Sequence, residues 1–81
     1  MPSMIVKVVR VRDVAIIDME LEPCADVFTF RVEGREIHLC GKTVVLPEPL
    51  EEFRKGLLVL VKTPFFVECE GGNCVAARVN L

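Results

Sequence analysis

The stretch "VFTFRVEGREIHLC", Val27 to Cys40, constrains the fold more than any other part of the chain. Phe28, Phe30 and Val32 alternate with Thr29, Arg31 and Glu33. After Gly34-Arg35 the apolar series resumes at Ile37 and Leu39, opposite Glu36, His38 and Cys40. A period of two belongs to strands with one buried face; a helix would scatter the same residues around its axis. Glycine at the first position of a two-residue connection fits a type II′ turn, whose twist matches that of the flanking strands. A slip of one residue would turn every phenylalanine outward, so the register is strongly specified.

The remaining segments fit around this hairpin. "MIVKVVRVR", Met4 to Arg12, is β-branched, with Lys7, Arg10 and Arg12 reaching water. Ile17, Met19 and Leu21 alternate with Asp18, Glu20 and Glu22, which extends the segment into one long strand bent at Asp13 and ended by Pro23. "LPEPLEEFRKG" predicts the single helix, from Pro49 to Lys55. Proline suits the first turn, Glu51 and Glu52 the N-terminal end, Arg54 and Lys55 the last turn, and Gly56 the cap. Leu50 and Phe53 give it one small apolar face. "LLVLV" reads as a buried strand interrupted at Thr63-Pro64, and "FFVECEGGNCVAARV" as a second hairpin turning at Gly71-Gly72. Long strand, hairpin, helix, strand, hairpin is the order of a small five-stranded, OB-like Greek-key barrel: all-β, with one short helix, as a single domain over residues 1–81. An SH3-like barrel is the competing architecture.

Composition narrows the setting. Hydrophobic residues make up 52% of the 81, and 14 are valine, which excludes disorder. The longest apolar run, Leu57 to Val61, is far short of the ~20 residues of a membrane-spanning helix. The charged N-terminal stretch does not read as a signal peptide, so a cytoplasmic location is the expectation. Glutamine is absent and asparagine occurs only at Asn73 and Asn80, a depletion of thermolabile amides that suggests a thermophilic source. That setting tolerates intracellular disulfides.

The chemistry-bearing residues are few. With Gly71-Gly72 as the turn, Cys69 faces Cys74 at near-disulfide spacing. A disulfide, a pair of reduced thiols and a zinc site drawing on Cys24, His38, Cys40, Cys69 and Cys74 all stay open, although the spacing is not the paired C-x-x-C of a zinc knuckle. His38 and Cys40 share a strand face but have no third partner, and no glycine-rich phosphate loop precedes a helix. No catalytic residue, metal or cofactor is assigned, and no small-molecule substrate is indicated. The net charge of -2 argues against a protein whose main work is gripping phosphates. If single-stranded nucleic acid does bind, the OB surface offers Arg31, Arg35 and His38, supported by Arg10 and Arg12. Phe28 and Phe30 would be its stacking platform, but their alternation makes them core residues.

The sequence as a whole resembles the small OB-fold accessory subunit of archaeal RNA polymerase, the one equivalent to the eukaryotic eighth subunit. The likeness rests on "VFTFRVEGREIHL", "LEEFRKGLLVLV" and the terminal "GNCVAARVNL", and it spans nearly all of the chain, although this would be a short member. The resemblance implies an OB-type, non-catalytic subunit without a metal of its own, docked on a larger polymerase subunit. The alternative is a free module that binds single-stranded nucleic acid.

Overall fold

The computed structural model describes residues 4–80, and in them the chain forms one eight-stranded sheet. The strands are β1 (Val6–Val11), β2 (Val14–Met19), β3 (Val27–Glu33), β4 (Glu36–Leu39), β5 (Lys42–Val45), β6 (Lys55–Leu60), β7 (Thr63–Glu70) and β8 (Asn73–Arg78). Their order across the sheet is β1-β2-β6-β7-β8-β3-β4-β5. Every ladder is antiparallel except β2·β6, which is parallel. The sheet curls into a half-barrel, and among the described residues β1 and β5 remain its two edges.

The all-β class agrees with the sequence, whereas the five-stranded barrel and its helix do not. The expected long first strand is a hairpin turning at Arg12-Asp13, with Arg12 at φ 59°. Cys40-Gly41 and Val61-Lys62 make two further tight turns, all four residues having positive φ. The last of these lies just before Thr63-Pro64, where the sequence places the break. Pro64 instead sits at the second position of β7, near the strand start where proline is tolerated.

The segment expected to be helical, Pro49 to Lys55, is a loop that enters β6 at Lys55. Its backbone groups are claimed from outside. The Leu50 N–H donates to the Gly34 carbonyl, the Arg54 carbonyl accepts from the Cys69 N–H, and Glu52 takes φ 56°. A right-handed helix can supply none of these. Leu50 and Phe53 are nevertheless both buried, as two anchors of a loop rather than one face of a helix. Gly56 is no helix cap but a strand residue: a Cβ there would lie 2.0 Å from the carbonyl oxygen of Ala15 on β2. The parallel β2·β6 pairing requires a glycine at this position.

The inner face of the sheet carries the core. Ile17, Met19, Ile37, Leu46, Leu58, Leu60, Phe65 and Val67 are fully buried, and no polar or charged side chain among the described residues is buried with them. Phe28 packs edge-on to Phe65, with ring centroids 5.3 Å apart, and lies 6.1 Å from Phe30. Two disulfides staple the fold. Cys69–Cys74 crosses the β7-β8 hairpin next to its Gly71-Gly72 turn. Cys24–Cys40 ties the loop before β3 to the β4-β5 turn, spanning 16 residues. Cys40, which the sequence places on one strand face with His38, is thus a bonded cysteine.

Candidate interaction face

Residues opposite each other on neighbouring strands share a face, so the register maps the outer surface row by row. One row runs Val9, Ile16, Leu57, Phe66, Ala77, Val27, across β1, β2, β6, β7, β8 and β3. All six positions are apolar, and all six point away from the core. Phe66 is 64% exposed, Val27 63% and Val9 53%. Ile16, Leu57 and Ala77 are half-buried by their neighbours. The next row, Val11, Val14, Lys55, Glu68, Val75, Thr29, is apolar except at its centre and at Thr29. On the other side Val59 and Pro64 continue the band past Leu57 and Phe66. The two rows through Leu57 and Lys55 are thus apolar apart from Lys55, Glu68 and Thr29, and charges border them: Asp18 and Lys7 continue the row of Val59, and Glu70 lies beyond Glu68 on β7.

Why the sequence builds this is visible in β2, β6 and β7. "VAII", "LLVL" and "PFFV" are continuous apolar runs rather than alternating ones. Such runs are the mark of strands covered on both faces. Here intramolecular packing covers only one. The run "LLVLV" already marks a buried strand in the sequence, but which of its residues face outward is decided by the register.

Of the residues expected to touch nucleic acid, Arg31 and His38 lie on the same outer face one row beyond Thr29 and Val75, and the set is only partly gathered. Arg31 and His38 are opposite each other on β3 and β4, in a shallow depression shared with Thr29, Asn73 and Val75. Arg31 is ion-paired with Glu33. A 3.0 Å hydrogen bond joins His38 Nδ1 and the Thr43 hydroxyl, and His38 Nε2 lies 3.4 Å from a Glu36 carboxylate oxygen without hydrogen-bonding geometry. Arg35 does not join them: its Nε donates to the Leu46 carbonyl at the turn. Arg10 reaches over the loop to Glu48 and the Pro49 carbonyl, and Arg12 sits in the first turn. Two carboxylates flank the one arginine and one histidine that do meet, so no strong positive field develops. Phe28 and Phe30 are buried, which removes the stacking platform.

Among the described residues no three His, Cys, Asp or Glu side chains come together as a metal site. Cys24, Cys40, Cys69 and Cys74 are all consumed in disulfides, so none is a thiolate ligand or nucleophile in this state. No helix among the described residues is long and apolar enough to cross a membrane. Compared with known proteins, the chain matches no family model, no curated protein and no solved structure.

Proposed function

We propose that this chain is a non-catalytic docking module that takes its place in a larger assembly through the outer face of its sheet. The observation that carries this reading is the six-strand apolar row from Val9 to Val27, centred on Leu57 and Phe66. Soluble proteins leave a contiguous apolar patch of this kind where another surface covers it. An exposed phenylalanine at the centre of the patch is the sort of residue that carries binding energy. The sequence resemblance names RNA polymerase as the assembly, with a larger polymerase subunit as the partner.

Capture on the immobilised chain, followed by identification of what is retained, tests this. Leu57→Thr/Phe66→Thr keeps strand propensity while removing the apolar centre. The wild type is expected to retain a defined protein partner, with little loss as salt rises, and the variant to lose it. Equal retention by both would overturn the reading.

A single-strand-binding function has less support, because the cations that would grip phosphates are dispersed or ion-paired. Oligonucleotide affinity no tighter than the ~10⁻⁴–10⁻⁶ M of non-specific contact is expected, unchanged in Arg31→Ala/Arg35→Ala. Submicromolar binding that falls steeply with salt and vanishes in that variant would make nucleic acid the better answer.

A further inference from the structure

The outer face has an internal symmetry that selects its occupant. Counted outward from the boundary between β6 and β7, the apolar row reads Leu57, Ile16, Val9 to one side and Phe66, Ala77, Val27 to the other. The adjoining row reads Lys55, Val14, Val11 and Glu68, Val75, Thr29. Within these two rows the halves match in polarity at every position except Val11 and Thr29, and at the single charged position they carry opposite signs; the row on the other side, Val59, Asp18, Lys7, ends in charges at the rim.

We propose that this face closes on a second copy of the chain, about a two-fold axis running along the strands between β6 and β7. The inference rests on the docking role proposed above and names the first partner of that same face. A rotation about such an axis keeps each row at its own level and exchanges β6 with β7. Leu57 of one copy then meets Phe66 of the other, and the reverse contact follows by symmetry. One row away, Lys55 meets the second copy's Glu68 and Glu68 meets the second copy's Lys55. The patch is self-complementary, as an isologous interface must be. An axis perpendicular to the strands through the Leu57–Phe66 row would instead bring the charged row over Val59 and Pro64, and one through the charged row would set Lys55 on Lys55 and Glu68 on Glu68. Two sheets meeting in this way form an aligned sandwich about 10 Å thick. Because the sheet curls toward its core, the outer face is convex and contact centres on the middle of the row. That places the dimer at the small end of specific interfaces, with a dissociation constant of about 1–100 µM.

Sedimentation equilibrium of the full chain from ~1 to ~300 µM tests the proposal, a range chosen to bracket that estimate. The wild type is expected to rise from 9.1 kDa toward twice that mass. Lys55→Glu and Glu68→Lys, each alone, put like charges across the axis and should weaken association at least about tenfold. An equimolar mixture of the two should dimerise again, because every cross-axis pair in the mixed dimer is then opposite in sign. Rescue by mixing cannot arise from damage within either monomer, and circular dichroism of each variant confirms folding. A wild type that stays at 9.1 kDa throughout would overturn the proposal. So would a dimer indifferent to both single substitutions, or one that mixing fails to restore. If the wild type is monomeric but retains another protein through Leu57 and Phe66, the second copy is refuted and the docking role stands; if it does neither, both fall.

Discussion

Two leucine–phenylalanine pairs lie side by side across β6 and β7. Leu58 faces Phe65 on the inner surface, and Leu57 faces Phe66 on the outer one. The chemistry and the ladder are the same, yet Phe65 is fully buried and Phe66 is 64% exposed. Phe65 is held by Phe28 and the rest of the core, whereas Phe66 has only the neighbours on its own sheet face. Hydrophobic residues thus form two layers here, one packed in the core and one exposed on the outer face. The difference should be measurable residue by residue.

The sharpest contrast is truncation of the two rings. Phe65→Ala should cost about 3–5 kcal/mol in denaturant unfolding, from lost burial plus the cavity it leaves. Phe66→Ala, measured at a dilution where the chain is monomeric, should stay within about 0.5–1 kcal/mol of wild type. Equal costs would erase the distinction between the faces. Gly56→Ala adds one methyl on the inner side and should cost on the order of 3 kcal/mol, because the carbonyl of Ala15 occupies its place. A neutral result would mean that β2 and β6 are not paired as described.

The disulfides extend the comparison to the staples of the inner face. Replacing Cys24 and Cys40 together by Ser should cost about 3 kcal/mol, and replacing Cys69 and Cys74 about 2 kcal/mol, since the closed loops span 16 and 5 residues. Thermal melts of the two double variants should keep that order. The smallest effect belongs to the β6-β7 turn, where Val61 and Lys62 have φ 46° and 65°. A left-handed backbone is unfavourable for both, and most of all for a β-branched residue. Val61→Asn/Lys62→Gly should stabilise the fold by about 1 kcal/mol while leaving both faces unchanged.

How much of this the sequence disclosed depended on the kind of signal each element carries. The Phe28–Leu39 hairpin and the Gly71-Gly72 turn were legible because alternation and glycine are local codes. The turns at Arg12-Asp13 and Val61-Lys62 were not, because neither contains a glycine and tertiary pairing imposes their positive φ, and the Cys40-Gly41 turn escaped because the strand after it, Lys42–Val45, is only four residues long. The loop from Pro49 to Arg54 misled for a related reason. Burial of Leu50 and Phe53 at a spacing of three satisfies a helical pattern, but hydrogen bonds to the Gly34 carbonyl and from the Cys69 N–H decide the backbone, and those residues are remote in sequence. The outer face was half visible: the doublets Leu57-Leu58 and Phe65-Phe66 announce two apolar faces, but only the register shows that one row joins six strands.

On the docking role proposed above, Leu57 and Phe66 serve association and not folding. Thermal unfolding of Leu57→Thr/Phe66→Thr, followed from ~1 to ~300 µM beside the wild type, tests it most directly, since association coupled to the folded state makes Tm rise with concentration. Coincident melts, within a few degrees, are expected at the lowest concentration, with a wild-type Tm that climbs with concentration while the variant's stays flat. A variant that melts far below the wild type even at ~1 µM would show that the outer pair is needed for the fold itself, and would contradict the account.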